Sequence, residues 1–173
     1  MIKDYKQHVF SRPDFSPYDM TTYEGKLQAF QMLLGFRDNE GYAVTGDITS
    51  LDPELLEYTI EDGVEIVVAR FRPQEWMLNG LRYVQGGYLA SMIDVICGPM
   101  SDICSNGHTA GTLDMTTTYF RPITMDDEEI LVRVRLTSNT KRVMHFEAEL
   151  LNSKGKRAVT AVSNIMKATQ AAK

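Results

Sequence analysis

Cysteine and histidine are scarce in this 173-residue sequence, and basic runs and long apolar stretches are missing altogether. The two cysteines, Cys97 and Cys104, fall seven residues apart in one expected helix, which separates them by about 10 Å along the axis. That is beyond disulfide reach. They share a face with Leu89, Ile93, Ile96 and Met100, so both read as small core hydrophobes rather than nucleophiles. His8, His108 and His145 sit in an arm, a loop and a strand, with no spacing suited to zinc or to a Ser-His-Asp relay. No metal and no cofactor is therefore expected. The formal charge of -5, without aromatic-basic interleaving, excludes a nucleic-acid surface and gives no footprint for an anionic membrane. No stretch reaches transmembrane length. Met1-Ile2-Lys3-Asp4-Tyr5-Lys6 has no apolar core of a signal peptide, so a cytoplasmic location is expected.

What is present suits one globular domain with a full core, at 43% hydrophobic and 24% charged residues. Residues 1 to 20, with Pro13 and Pro17, read as an irregular arm. Thr21-Thr22-Tyr23-Glu24 fits a capping box, and Leu27, Phe30, Leu33 and Leu34 then recur at helical spacing until Gly35. After a polar stretch containing Gly41 and Gly46, Leu55 to Ile60 and Val64 to Phe71 are β-rich runs, joined by Glu61-Asp62-Gly63, a hairpin signal. Pro73 ends the second run, and a loop with Trp76 and Asn79 leads to an apolar helix from about Gly87 to Cys104, stopped by Asn106-Gly107. Pro99 inside that helix removes the bond its amide would give Val95, so a kink or local widening is expected there. Four runs follow: Ala110 to Tyr119, Glu129 to Leu136, Val143 to Leu151 and Arg157 to Lys167, with turns at Ser138-Asn139 and Ser153-Lys154-Gly155. They predict an antiparallel meander. Met144, Phe146, Ala148 and Leu150 alternate with polar neighbours, so one face is buried and the long helix is its obvious cover.

Chemistry concentrates where that helix begins. Val84-Gln85-Gly86-Gly87 leaves backbone amides exposed at a helix start, where the helix dipole favours negative charge. Asp94 lies two turns in, about 140° from Leu89, on the face of Ala90, Ser91, Gly98, Ser101 and Ser105. Those small residues allow another backbone to come close. A carboxylate among Leu, Met and Ile needs a reason to be there.

These residues carry a resemblance. An Asn in the loop before the helix (Asn79), a glycine pair at its start (Gln85-Gly86-Gly87), an acid within it (Asp94) and a following strand ending in Tyr119-Phe120-Arg121-Pro122 together resemble the hotdog-fold acyl-CoA thioesterases of the phenylacetate-degradation, PaaI-like type. The resemblance runs from roughly Leu55 to Lys167. It implies an α+β hotdog fold, a curved antiparallel sheet wrapped around the long helix, over residues 51–173, with residues 1–50 as an extra arm and helix packed on that core. It also implies hydrolysis of acyl-CoA thioesters to free acid and coenzyme A. Gly86 would hold the thioester oxygen, aided by Gly87; Asp94 would act as base or nucleophile; Asn79 and Thr112 would orient Asp94 or water. Gln85 stands where the family commonly has histidine, keeping hydrogen-bonding capacity but losing the titratable ring. Arg121, Lys141, Arg142, Lys156 and Arg157 are candidates for the coenzyme A phosphates. Two other hotdog activities compete: a silent acyl-CoA-binding module, and a dehydratase or hydratase, which needs a histidine that this helix lacks.

Geometry adds a demand of its own. Gly86 and Asp94 are eight residues apart, about 12 Å along one helix. The Asp side chain leans back toward the N-terminus but closes only part of that gap. A homo-oligomer, dimer or tetramer, is therefore expected, with Gly86 and Asn79 of one chain facing Asp94 and Thr112 of the other.

Overall fold

In the computed structural model the described residues are 13–35 and 50–168. His8, Gly41, Gly46 and most of the expected arm lie outside them. The order is helix α1 (Tyr23–Leu34), strands β1 (Glu54–Glu61) and β2 (Val64–Phe71), a 3-10 turn (Glu75–Met77), helix α2 (Gly86–Ser105), and strands β3 (Thr109–Tyr119), β4 (Ile130–Asn139), β5 (Val143–Leu151) and β6 (Arg157–Lys167).

Local chemistry explains most boundaries. Thr22 is the N-cap of α1 and accepts from the Gly25 amide at 3.1 Å, one residue later than the Thr21-to-Glu24 box predicts. The reason lies upstream: the Asp19 side chain accepts from the Thr21 amide and hydroxyl, which takes Thr21 into the preceding turn. Asp62 (φ 52) and Gly63 (φ 78) both adopt left-handed conformations, the requirement of a type I′ hairpin between β1 and β2. Asn106 (φ 54) caps α2 and Gly107 (φ 74) follows, as the Asn-Gly pair predicts. Helix α2 runs unbroken through Pro99.

One sheet contains all six strands in the order β1-β2-β4-β5-β6-β3, every neighbour antiparallel. This corrects the expected four-strand meander. β4, β5 and β6 are consecutive hairpins, but β3 pairs with β6 at the edge and β4 enters beside β2. Residues 120–129, the connection from β3 to β4, contain Pro122 and exceed a hairpin loop of about 2–5 residues, so the chain crosses from the edge to the middle of the sheet. The turn expected at Ser138-Asn139 also moves: both residues belong to β4, with a bulge between Leu136 and Ser138, and the reversal occurs where the Thr140 amide donates to Val143 at 3.0 Å.

Helix α2 lies against the concave side of this sheet, and the architecture is the hotdog fold. Leu89, Ile93, Ile96, Met100 and Ile103 are buried with Val67, Val132, Val134, Met144, Phe146 and Leu150, each such side chain contributing about 1.5–3 kcal/mol on burial. Cys97 is buried, Cys104 is partly so, and both are free thiols. Helix α1 covers one end through Ala29 and Phe30, the latter edge-on to Tyr58 at 6.1 Å.

Candidate functional site

The segment before α2 is a small, closed loop. The Asn79 amide donates to the Tyr83 carbonyl at 2.8 Å, and the Asn79 Oδ1 accepts from the Leu81 and Tyr83 amides at 2.9 and 3.2 Å. Asn79 thus holds the loop together through its oxygen, leaving its NH2 group as the free donor. The loop is anchored on both sides: Gln85 donates to the Met77 carbonyl at 2.9 Å, Val84 donates to Ile123 at 2.8 Å, and Trp76 packs edge-on against Tyr88 at 5.0 Å.

Helix α2 opens from this anchor at Gly86, one residue earlier than predicted, with Gln85 as an extended N-cap whose side chain makes no capping bond. Neither the Gly86 nor the Gly87 amide donates to an acceptor among the described residues. Two unengaged donors therefore stand at the positive end of the helix dipole. They border a cavity of about 500 Å³ lined by Asn79, Tyr83, Gly86, Tyr119, Phe120 and Arg121.

Asp94 lies further along α2, partly buried, and accepts from the Thr112 hydroxyl at 3.0 Å. A bulge in β3 makes this possible. The pairing with β6 slips between Thr112 and Asp114, so Leu113 is the unpaired extra residue and points outward, 51% exposed. Without that insertion, strict alternation from Met115 would turn residue 113 toward the helix and Thr112 away from it. Ser91, Gly98 and Ser101 leave the Asp94 face of α2 shallow: a side chain at Gly98 would meet nothing within 4 Å.

The predicted residues therefore fall into groups. Asn79, Gly86 and Arg121 share the first cavity, and Asp94 and Thr112 form a second cluster outside it. The Arg121 guanidinium donates to the Arg157 carbonyl, and Arg157 pairs with Glu149 at 3.0 Å. Lys141 and Arg142 lie elsewhere: they line a larger opening of about 840 Å³ with Lys26, Glu65, Ser105 and Lys167, at the C-terminal end of α2. That end is about 30 Å from Gly86 for a helix of this length, so within one chain the two basic groups and the glycines do not meet. Glycine pattern and spacing did not reveal Tyr119, whose hydroxyl donates to the Gly86 carbonyl at 2.8 Å. Its only signal is the aromatic residue that closes β3.

Burial pushes the thiols of Cys97 and Cys104 well above the ordinary cysteine range; the Asp94 carboxylate adds to the effect at Cys97 and Glu65 at Cys104. Both stay protonated and unreactive at neutral pH. Among the described residues no three His, Cys, Asp or Glu side chains gather as metal ligands.

Residues 82–159 match the family model described as the Thioesterase superfamily. No curated protein matches the chain. Among solved structures, the chain is similar to the Escherichia coli PaaI protein of the phenylacetic acid degradation operon, at 15% identity over 83% of this chain and 96% of that one, with a TM-score of 0.62. A hypothetical thioesterase from Streptococcus pneumoniae, solved with coenzyme A, aligns at 20% identity over 72% and 93% of the two chains, TM-score 0.59. A Streptococcus mutans protein bound to acetyl CoA aligns at 15% identity over 68% and 91%, TM-score 0.57. All three share the hotdog fold with this chain.

Proposed function

We propose, starting from the thioesterase superfamily match over residues 82–159 and the hotdog fold, that this protein hydrolyses acyl-CoA thioesters and does so as a homo-oligomer. One observation carries the reading: two unengaged amides at Gly86 and Gly87 face a cavity, while the only acid of α2 in that half of the helix, Asp94, is held by Thr112 and stands too far along the same helix to reach them.

In the proposed site the Gly86 amide binds the thioester oxygen of a substrate whose carbonyl carbon faces Asp94 and Thr112 of the partner subunit. Asp94 takes a proton from water; the hydroxide adds to the carbonyl carbon, and the charge that develops on oxygen is held by the Gly86 and Gly87 amides. The C–S bond then breaks, and the coenzyme A thiolate leaves with the proton that Asp94 received. In the alternative course the Asp94 carboxylate attacks directly, expels the thiolate and forms an anhydride that water opens. Thr112 fixes the carboxylate by its 3.0 Å hydrogen bond, and the Asn79 NH2 remains to hold water or substrate. The pairing of subunits is supported by β3, an edge strand with no second partner among the described residues, and by the open face around Gly98.

The test is release of free thiol from a panel of acyl-CoAs. Asp94→Asn is expected to abolish release with the fold intact by circular dichroism, and Thr112→Val to lower kcat about tenfold. Unchanged turnover in Asp94→Asn defeats the mechanism. Tight acyl-CoA binding without thiol release at any chain length instead favours a silent binding module, in keeping with Gln85 at the glycine motif.

A further inference from the structure

Tyr119 closes β3 and reaches back to the start of α2. Its hydroxyl donates to the Gly86 carbonyl at 2.8 Å and accepts from the Thr117 hydroxyl at 3.1 Å. Thr117 and Tyr119 are two residues apart on one strand, so they share the face that looks toward the helix. The ring also fills the space beside Gly86: a Cβ there would meet ring carbons at 3.1 and 3.2 Å and the hydroxyl oxygen at 3.3 Å. Gly87 is different, because a Cβ there would meet nothing within 4 Å. The two glycines thus have separate physical reasons, the first a close approach by Tyr119 and the second an open space over its amide.

The Gly86 carbonyl and the Gly87 amide belong to one peptide unit. A hydrogen bond onto the carbonyl draws electron density toward the oxygen and leaves the N–H more positive, and bonds in series reinforce one another. The same bond fixes the plane of the peptide, and with it the direction of the N–H. We propose that Tyr119, supported by Thr117, is a positioning residue that orients and polarises the Gly86–Gly87 peptide, so that the Gly87 amide joins the Gly86 amide in holding the thioester oxyanion. Tyr119 touches no reacting atom. The proposal rests on the hydrolase reading of this site and adds to it which residue sets the strength of its oxyanion donors.

Tyr119→Phe removes the hydroxyl and keeps the ring. The expected result is a fall in kcat of about tenfold with KM within about twofold, because the lost polarisation matters most when the oxygen carries full charge. Thr117→Val is expected to act in the same direction and less strongly. In glycine-labelled protein, the Gly86 carbonyl carbon and Gly87 amide nitrogen resonances are expected to shift upfield in Tyr119→Phe while resonances remote from the site hold still. An unchanged kcat, a loss that falls on KM instead, or unmoved Gly86 and Gly87 resonances overturns the assignment. Should the wild-type protein hydrolyse no acyl-CoA, the hydrolase reading fails on its own, and the resonance shifts still decide whether Tyr119 governs that peptide.

Discussion

At the scale of the residue, the two glycines make separable demands. Gly86→Ala forces the Tyr119 ring aside, and since that ring is 46% exposed it can swing out. The expected outcome is little change in melting temperature, because the lost hydrogen bond and the gain of about 1 kcal/mol in helix propensity offset each other. Turnover, by contrast, is expected to drop several-fold as the peptide loses its hold. Gly87→Ala meets no clash and is expected to raise stability slightly; any loss of activity there reports crowding of the substrate rather than misfolding. Asp94 poses a different question, whether it acts as base or nucleophile. A single turnover in ¹⁸O water separates the two: label in the Asp94 carboxylate marks the anhydride route, and label confined to the released acid marks the general base.

At the scale of the element, a network distant from the site ties four segments together. Lys26 of α1 pairs with Glu65 of β2 at 2.5 Å, Tyr58 of β1 donates its hydroxyl to the same carboxylate, and the Cys104 thiol of α2 donates at 3.3 Å. Burial raises the Glu65 pKa, but the Lys26 and Tyr58 contacts outweigh it and hold the carboxyl below its ordinary 4.5. The folded state therefore binds this proton more weakly than the unfolded chain. Its stabilisation is complete above pH 4.5 and is lost as the pH falls through the lower folded value. Melting curves are expected to show this acid-side decline, and Glu65→Gln to flatten it while costing about 1–3 kcal/mol at neutral pH. Helix α1 also depends on Gly25, where a Cβ would lie 2.0 Å from the Asp19 carbonyl oxygen. Backbone cannot give way as a side chain can, so Gly25→Ala is expected to lower stability by about 1–3 kcal/mol, read by chemical denaturation.

At the scale of the whole molecule, the separation of Gly86 from Asp94 makes the assembly itself testable. Gly86→Pro removes the oxyanion donor at a first helical position, where proline is tolerated, and Gln85 before it is already extended at φ -62 and ψ 138, as a residue preceding proline requires. Asp94→Asn removes the carboxylate. Each variant alone is expected to be inactive. Refolded together, half of randomly formed dimers carry one chain of each kind and one intact site of two, so roughly a quarter of wild-type activity should return. No recovery in a mixture shown by mass to contain mixed dimers defeats the shared site.

How much of this was legible in advance depends on the range of the interaction concerned. The helix start at Gln85-Gly86-Gly87, the Asp62-Gly63 hairpin and the Asn106-Gly107 stop follow from backbone conformations that few residues adopt, and the apolar stripe from Leu89 to Ile103 follows from helical period alone. Sequence by itself therefore determined the elements, the hotdog resemblance and the candidate acid and donors. Three things depended on residues distant in the chain. The placement of β3 beside β6 rather than β4 was decided by a crossover whose path no local pattern encodes. The inward turn of Thr112 toward Asp94 depended on a bulge at Leu113, since a one-residue slip exchanges the two faces of a strand. The grip of Tyr119 on the Gly86 carbonyl joins residues 33 apart, brought together only when the sheet wraps the helix.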